Sequence, residues 1–238
     1  QRKLPFDFSM VAVNLDQGHP GFPVSTIRDH LLQEGFDHHL VSVDTFRVVK
    51  EHTPEGKAFC SLCSRLRRGI LYRTATELGA TKIALGHHRE DVLETFLLNF
   101  VYAGQLKAMP CSLRSDSGEH TIIRPLATCA EADLAALASA RGYPIVPCDL
   151  CGSQENLRRK KMKALVAKFE LEDPRIPRNM FAALGNIKPS HLWDDELASG
   201  ARRGETRDVE SGIEQTSGPL AGDGLVHLRT ASTEGESW

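Results

Sequence analysis

Apolar residues fall into two alternating rhythms along this chain. Met10-Val-Ala-Val-Asn-Leu15 is a short run rich in β-branched residues that ends at Asp16, the pattern of a buried parallel strand rather than an alternating surface strand. Pro20, Gly21 and Pro23 then break the chain, and Val24, Ile27 and Leu31 recur at helical spacing until Gly35. A second strand is expected at 39–43, after which Asp44 is placed to cap a short helix to about Glu51, and 52–59 is rich in turn formers. Leu62, Leu66, Ile70, Thr74 and Leu78 share one face of a longer helix that stops at Gly79. Lys82-Ile-Ala-Leu-Gly86 is another short buried strand, which passes through His87 and His88 into a helix carrying Val92, Phe96 and Phe100. Thr121-Ile-Ile-Arg-Pro125 is a strand stopped by proline, Ala130 to Arg141 a helix ended by Gly142, 154–171 a basic helix, and Met180 to Leu184 part of another. Strands alternating with helices predict an α/β fold, an open, mainly parallel sheet flanked by helices, over residues 1–194. From about Asp195 the periodicity is lost among Gly, Ser, Thr and charged residues, so 195–238 is expected to be a disordered acidic tail.

Composition narrows the class. The 238 residues are 41% apolar, enough for a core, and six cysteines are too sparse for a disulfide scaffold. No secretory n-region and no long apolar stretch is present, so a cytoplasmic protein without a membrane partner is expected. The net charge of −2 conceals an acidic tail and a basic remainder. Lys57, Arg65, Arg67, Arg68 and Arg73 follow one another without an intervening acid, as do Arg158, Arg159, Lys160, Lys161 and Lys163. Clusters of this kind are either solvated helix faces or footprints for a phosphate backbone.

Each basic cluster adjoins a Cys-x-x-Cys pair, Cys60-Ser-Leu-Cys63 and Cys148-Asp-Leu-Cys151. That spacing places two thiolates on one metal or cluster, and a second pair can close the site from a distant segment. Both pairs lead into predicted helices, whose N-terminal amides favour thiolate over thiol. Four-cysteine zinc and an iron–sulfur cluster are both compatible with the spacing. The strand–turn–helix at Gly86-His-His-Arg-Glu-Asp91 forms the usual ligand crevice at the carboxyl edge of an open α/β sheet. Its histidines are either a metal pair or turn residues, and Asp91 and Glu94 are either site carboxylates or N-terminal helix caps.

Taken in order, Val13-Asn-Leu-Asp16 with Gly21-Phe-Pro23, Pro54-Glu-Gly-Lys57, the run from Cys60 to Arg73, Gly86 to Asp91, Ile123-Arg-Pro-Leu126, Pro147 to Ser153 and Pro189-Ser-His-Leu192 resemble the tRNA 2-thiocytidine synthetase family over about residues 8–194. The resemblance implies a cytoplasmic, adenine nucleotide hydrolase-like PP-loop ATPase that activates a cytidine at position 32 of the tRNA anticodon loop by adenylation and replaces its carbonyl oxygen with sulfur. It implies Mg2+ and ATP, a [4Fe-4S] cluster, tRNA as substrate, a cysteine desulfurase as sulfur donor and a homodimer. By the family pattern the cluster ligands are Cys60, Cys63 and Cys151, with Cys148 a nearby spare thiol. Asp16, Gly86, His87 and Asp91 are the expected nucleotide-binding positions. Asp91 coordinates Mg2+ or orients the cytosine, and Arg67 lies near the reacting phosphates. Arg68, Arg158, Arg159, Lys160 and Lys161 are the expected RNA contacts.

Two departures accompany the resemblance. The family's phosphate loop, Ser-Gly-Gly-x-Asp-Ser after the first strand, has no counterpart in residues 1–238, and the family's second acidic position is Glu90 here. The expectation is a fragment that opens at the linker before the second strand and is inactive without that loop. The competing expectation is a catalytically inactive, cysteine–metal, tRNA-binding paralogue.

Overall fold

The computed structural model describes residues 8–53, 60–115, 117–146, 155–195, 197, 199 and 200. Strand β1 (Ala12–Asp16) pairs in parallel with β2 (His38–Ser42), Ala12 opposite His38 and Asp16 opposite Ser42. Helix α1 (Val24–Gln33) makes the crossover between them. A second small sheet has the order β3-β5-β4. In it β3 (Lys82–Ala84) runs parallel to β5 (Thr121–Ile123), and β4 (Ser112–Arg114) is antiparallel to β5. The expected parallel α/β sheet is therefore present as two pieces among the described residues.

β1 is less enclosed than its apolar sequence predicts. Pairing begins at Ala12, all five strand residues are only partly buried, and Met10 remains 65% exposed. Among the described residues β1 hydrogen-bonds to β2 alone, so its other edge lacks the neighbour that a fully buried parallel strand has on each side. β3 is likewise half-buried, because only β5 pairs with it. The β4 strand has no sequence signature: three residues carry no readable alternation, and its register is set by pairing with Thr121–Ile123.

The helices match the sequence periodicity closely. α2 (Thr45–His52) is capped by Asp44, whose carboxylate accepts from the Arg47 amide at 3.0 Å. α3 (Cys60–Glu77) buries Ile70 and Thr74 and ends at Gly79, whose φ of +64° is costly for any residue with a β-carbon. α4 (Arg89–Leu98) passes into a π-helical turn over Asn99–Ala103. α5 (Glu131–Arg141), α6 (Glu155–Glu172) and α7 (Arg175–Ala183) follow. Leu93 and Leu97 of α4 meet Met162 and Val166 of α6, and Phe96, Leu165, Met180 and Phe181 pack around them. Leu93, at the centre of this helical cluster, has no exposed surface at all.

At the expected tail boundary, Asp195, Leu197, Ser199 and Gly200 keep helical backbone, and Asp194 accepts from the Leu197 amide at 2.9 Å. An aspartate at the N-cap supports a turn of helix where composition alone predicts none. The remainder of the tail, 201–238, and the second Cys pair, 148 and 151, lie outside the described residues. No helix among the described residues is long and apolar enough to cross a membrane.

Candidate active site

The carboxyl end of β1 is pinned before it reaches any ligand. Asp16 accepts from the Gly18 amide at 2.9 Å, the Val43 amide donates to the Asp16 carbonyl, and the Phe46 amide donates to the Gln17 carbonyl. Gly18 has φ +77°, and a β-carbon there would lie 2.9 Å from an Asp44 carboxylate oxygen, so only glycine fits this turn against the α2 cap. The loop presents Gln17, whose Oε1 accepts from the Thr45 hydroxyl and from the Cys63 thiol, both at 3.3 Å. Cys63 is thereby held in the first turn of α3, beside the end of β1. Cys60 opens the same helix, three residues earlier. Gln17 carries no motif, and nothing in the sequence identifies it as the thiol's partner.

The second edge is the β3–α4 turn. The Leu85 amide donates to the Ile123 carbonyl, Gly86 faces open space, and His87 and His88 lead into α4. Asp91 accepts from the His88 amide at 3.1 Å, which makes it a helix cap, while its other oxygen lies 3.3 Å from the Arg159 guanidinium of α6. The cap and site readings of Asp91 therefore coexist in one side chain. The His88 ring sits between Glu90 and Asp91, at 3.3 and 3.4 Å.

His87 is the most exactingly placed group in the turn. Its Nδ1 is buried without a hydrogen-bond partner. Burial first, and then the charges of Arg124, Arg159 and Arg67, hold its pKa below the usual 6.5 against the opposing pull of Asp91. His87 is thus mainly a neutral imidazole at pH 7, with one buried nitrogen that has no hydrogen-bond partner. Arg124, just beyond β5, donates to the Pro110 carbonyl at 2.6 Å, and its Nε is buried and unpartnered.

Around this edge the basic helix α6 is not uniformly a solvent face. Arg159 turns inward, donating to Glu94 at 3.0 Å and Asp91 at 3.3 Å. Glu94 is 4% exposed, and burial pushes its pKa above the ordinary carboxylate value of 4.5 despite Arg159. Lys163 pairs with Glu131, which raises the lysine's pKa. Arg158 instead lies over the ring of Tyr102, 4.9 Å from its centroid, while Lys160 and Lys161 are exposed. Of the five expected RNA contacts, Arg68, Arg158, Lys160 and Lys161 face outward, and Arg159 is spent on carboxylates. Glu90 is 7% exposed and accepts from Arg89 at 2.6 Å and from the first amide of α5 at 2.7 Å. Its carboxylate ties two helices together.

The structure holds Asp16 and Cys63 around the Gln17 loop at the end of β1 and gathers Gly86, His87 and Asp91 with Glu94 and Arg159 at the β3–α4 turn; Gln17 and Arg124 are additions to the residues expected from the sequence. Parallel strands connected through helices make this an α/β protein, and the PP-loop domain family matches residues 32–167, which places it in the PP-loop class. The chain belongs to the tRNA-cytidine(32) 2-sulfurtransferase family. The member from Sorangium cellulosum (strain So ce56) is 56% identical over 196 residues, covering 82% of this chain and 69% of its own length. The member from Anaeromyxobacter dehalogenans (strain 2CP-C) is 50% identical over 232 residues, covering 96% of this chain and 80% of its own. Among solved structures, the U34-tRNA thiolase NcsA from Methanococcus maripaludis with its [4Fe-4S] cluster superimposes with a TM-score of 0.55 at 20% identity, over 76% of this chain and 63% of that one. That likeness is one of fold.

Proposed function

We propose that this protein is the catalytic scaffold for ATP-dependent 2-thiolation of cytidine 32 in tRNA. The observation that carries the reading is the Cys-x-x-Cys thiol of Cys63, held by Gln17 at the end of β1, in a chain 56% identical over 196 residues to a tRNA-cytidine(32) 2-sulfurtransferase. Cytosine C2 is a poor electrophile because its oxygen leaves reluctantly. Attack of that oxygen on the α-phosphorus of ATP forms a P–O bond and expels pyrophosphate, and sulfide attack at C2 then expels AMP. Asp91, fixed by the α4 cap and by Arg159, orients the cytosine amidine edge or the Mg2+ that accompanies ATP. Arg67 offsets negative charge on the reacting phosphates. Neutral His87 holds a hydrogen bond to the nucleotide through its unspent nitrogen without adding a charge to a turn already crowded with guanidiniums.

The thiols at the start of α3 fit an iron–sulfur group: helix N-terminal amides favour thiolate, and Cys63 stands beside the expected nucleotide edge. Cys60, Cys63 and Cys151 are the proposed ligands, Cys151 arriving from the segment before α6. Three-thiolate ligation of a [4Fe-4S] cluster supplies one iron with an open position for sulfide. A cysteine desulfurase is the proposed sulfur source, a homodimer the proposed assembly and the cytoplasm the proposed site of action. The experiment is nucleoside analysis of tRNA from cells that lack 2-thiocytidine. Introducing the protein with the family's Ser-Gly-Gly-x-Asp-Ser loop segment ahead of it restores the thionucleoside, and Asp91→Asn prevents this while leaving tRNA affinity and the 4Fe-4S absorption unchanged. Full activity in Asp91→Asn removes Asp91 from the chemistry.

A further inference from the structure

We propose that the π-helical turn after α4, together with Arg158, is a stacking surface for unpaired bases of the RNA substrate; the inference rests on the tRNA-directed reading above. The turn holds large apolar side chains in water: Phe100 is 54% exposed, Tyr102 44% and Leu106 68%. It is a rigid presentation. Gly104 ends the turn at φ +62°, the Gln105 amide donates to the Asn99 carbonyl at 3.0 Å, and the Asn99 side-chain amide donates to the Lys107 carbonyl at 2.9 Å. Phe100 stacks on Phe96 at 5.7 Å and 18°, and Phe96 packs on the α4–α6 core. A π-bulge that exposes aromatics on a clamped loop lowers no energy of folding that an α-helical register would not, and such bulges concentrate at functional positions.

The charge around this surface selects the partner. No acid occurs between Glu94 and Asp116, nor between Glu155 and Glu170; Lys107 follows the aromatics in sequence and Arg158 reaches Tyr102 from α6. The Arg158 guanidinium already lies 4.9 Å from the Tyr102 centroid, which extends the flat surface and makes it cationic. Aromatic faces flanked by cations suit single-stranded nucleic acid, whose bases stack and whose phosphates pair with the basic groups. Duplex bases are already stacked, so the surface reads loop nucleotides. Tyr102 lies on the order of 15 Å from Asp91 along the α4 axis, which places neighbouring loop bases on the turn while the target cytidine occupies the site.

The test measures fluorescence anisotropy of the full chain, at several salt concentrations, with an RNA hairpin bearing an anticodon-type loop and with a blunt RNA duplex. Tyr102→Ala weakens hairpin binding about 5- to 100-fold, leaves its salt slope intact and leaves duplex binding unchanged. Tyr102→Phe keeps wild-type affinity, and a fluorescent purine analogue in the loop is quenched by wild type and Tyr102→Phe but not by Tyr102→Ala. Arg158→Ala weakens binding and reduces the salt slope by about one. Hairpin affinity equal to wild type in Tyr102→Ala overturns the inference and leaves the thiolation reading intact. Hairpin loss that accompanies dissociation of a dimer, seen by sedimentation, also overturns it in favour of a second copy. A wild-type chain that binds neither RNA refutes the tRNA-directed reading itself.

Discussion

Replacing Arg159 with Met tests whether the inward-facing end of α6 is an electrostatic keystone or a stray surface cation. Arg159 donates to Glu94 at 3.0 Å and to Asp91 at 3.3 Å, and Glu94 is almost fully enclosed. Breaking a fully buried pair costs about 3–5 kcal/mol, because the surviving charge keeps its desolvation penalty without its partner. The Arg159 side chain is 44% exposed, so water takes over part of its role and the expected loss is about 2 kcal/mol. With a urea slope of about 2 kcal/mol per molar, that loss moves the unfolding midpoint down by about 1 M. Glu94→Gln removes the buried charge itself and costs less than about 1 kcal/mol, and the double variant is more stable than additivity predicts by about 1.5 kcal/mol. The pH dependence fixes the sign. Burial already raises the Glu94 pKa, and losing Arg159, which lowers it, raises it further. Folded variant therefore binds more protons than unfolded chain between the ordinary 4.5 and the folded value, so its deficit relative to wild type is full above that window and shrinks as pH falls through it. Urea titrations at neutral and mildly acidic pH measure both quantities. Additive single variants with a pH-independent deficit would show that Arg159 and Glu94 do not act as a pair.

The other predictions concern separate elements. Anaerobic reconstitution with iron and sulfide gives a 4Fe-4S absorption that Cys148→Ala retains and that Cys60→Ala, Cys63→Ala or Cys151→Ala abolishes; equal loss in Cys148→Ala indicates four-thiolate ligation instead. His87, whose pKa is held below 6.5, contributes stability that is present above that value and is lost as pH falls through it toward the folded pKa. In His87→Gln, proton uptake on unfolding in that window should disappear, and an unchanged pH dependence would place His87 in an ordinary solvated setting. Glu90→Gln weakens the tie from Arg89 to the α5 amide and costs about 1–2 kcal/mol without lowering thiolation per folded molecule; a specific fall in turnover would return Glu90 to the site.

Periodicity located the helices because each carries its own signal. The Leu62 to Leu78 stripe and Gly79 define α3, and Asp44 announces α2 before any tertiary contact exists. Strand burial was less legible, since it depends on neighbours: the same apolar run is buried between two strands and half-exposed beside one, as β1 is here. β4 is set by its partner rather than by its own three residues. The candidate site divides in the same way. Cys60, Cys63, His87 and Asp91 announce themselves by residue type and spacing. Gln17 and Arg124 do not, because a lone amide or a strand-end arginine acquires its role only through its partners, Cys63 lying 46 residues from Gln17; Glu94 stays open between site carboxylate and cap until Arg159, 65 residues away, pairs with it.

The two consecutive arginines of α6 show why composition alone misassigns a basic helix. Successive helical residues point about a quarter-turn apart, so Arg158 and Arg159 meet different surroundings. Arg158 reaches the exposed Tyr102 ring at the end of α4, and Arg159 reaches Asp91 and Glu94 near its beginning. Both side chains thus fasten α6 across the length of α4, with Met162 and Val166 supplying the apolar contact between them and the core. The segment carrying Cys148 and Cys151 immediately precedes that helix. Any shift of α6 against α4 therefore moves the approach of the second Cys pair, the orientation of Asp91 and the aromatic turn together. A substitution that loosens this helix pair, such as Met162→Ala, should impair sulfur transfer and RNA binding jointly, whereas Tyr102→Ala impairs RNA binding and Asp91→Asn the chemistry.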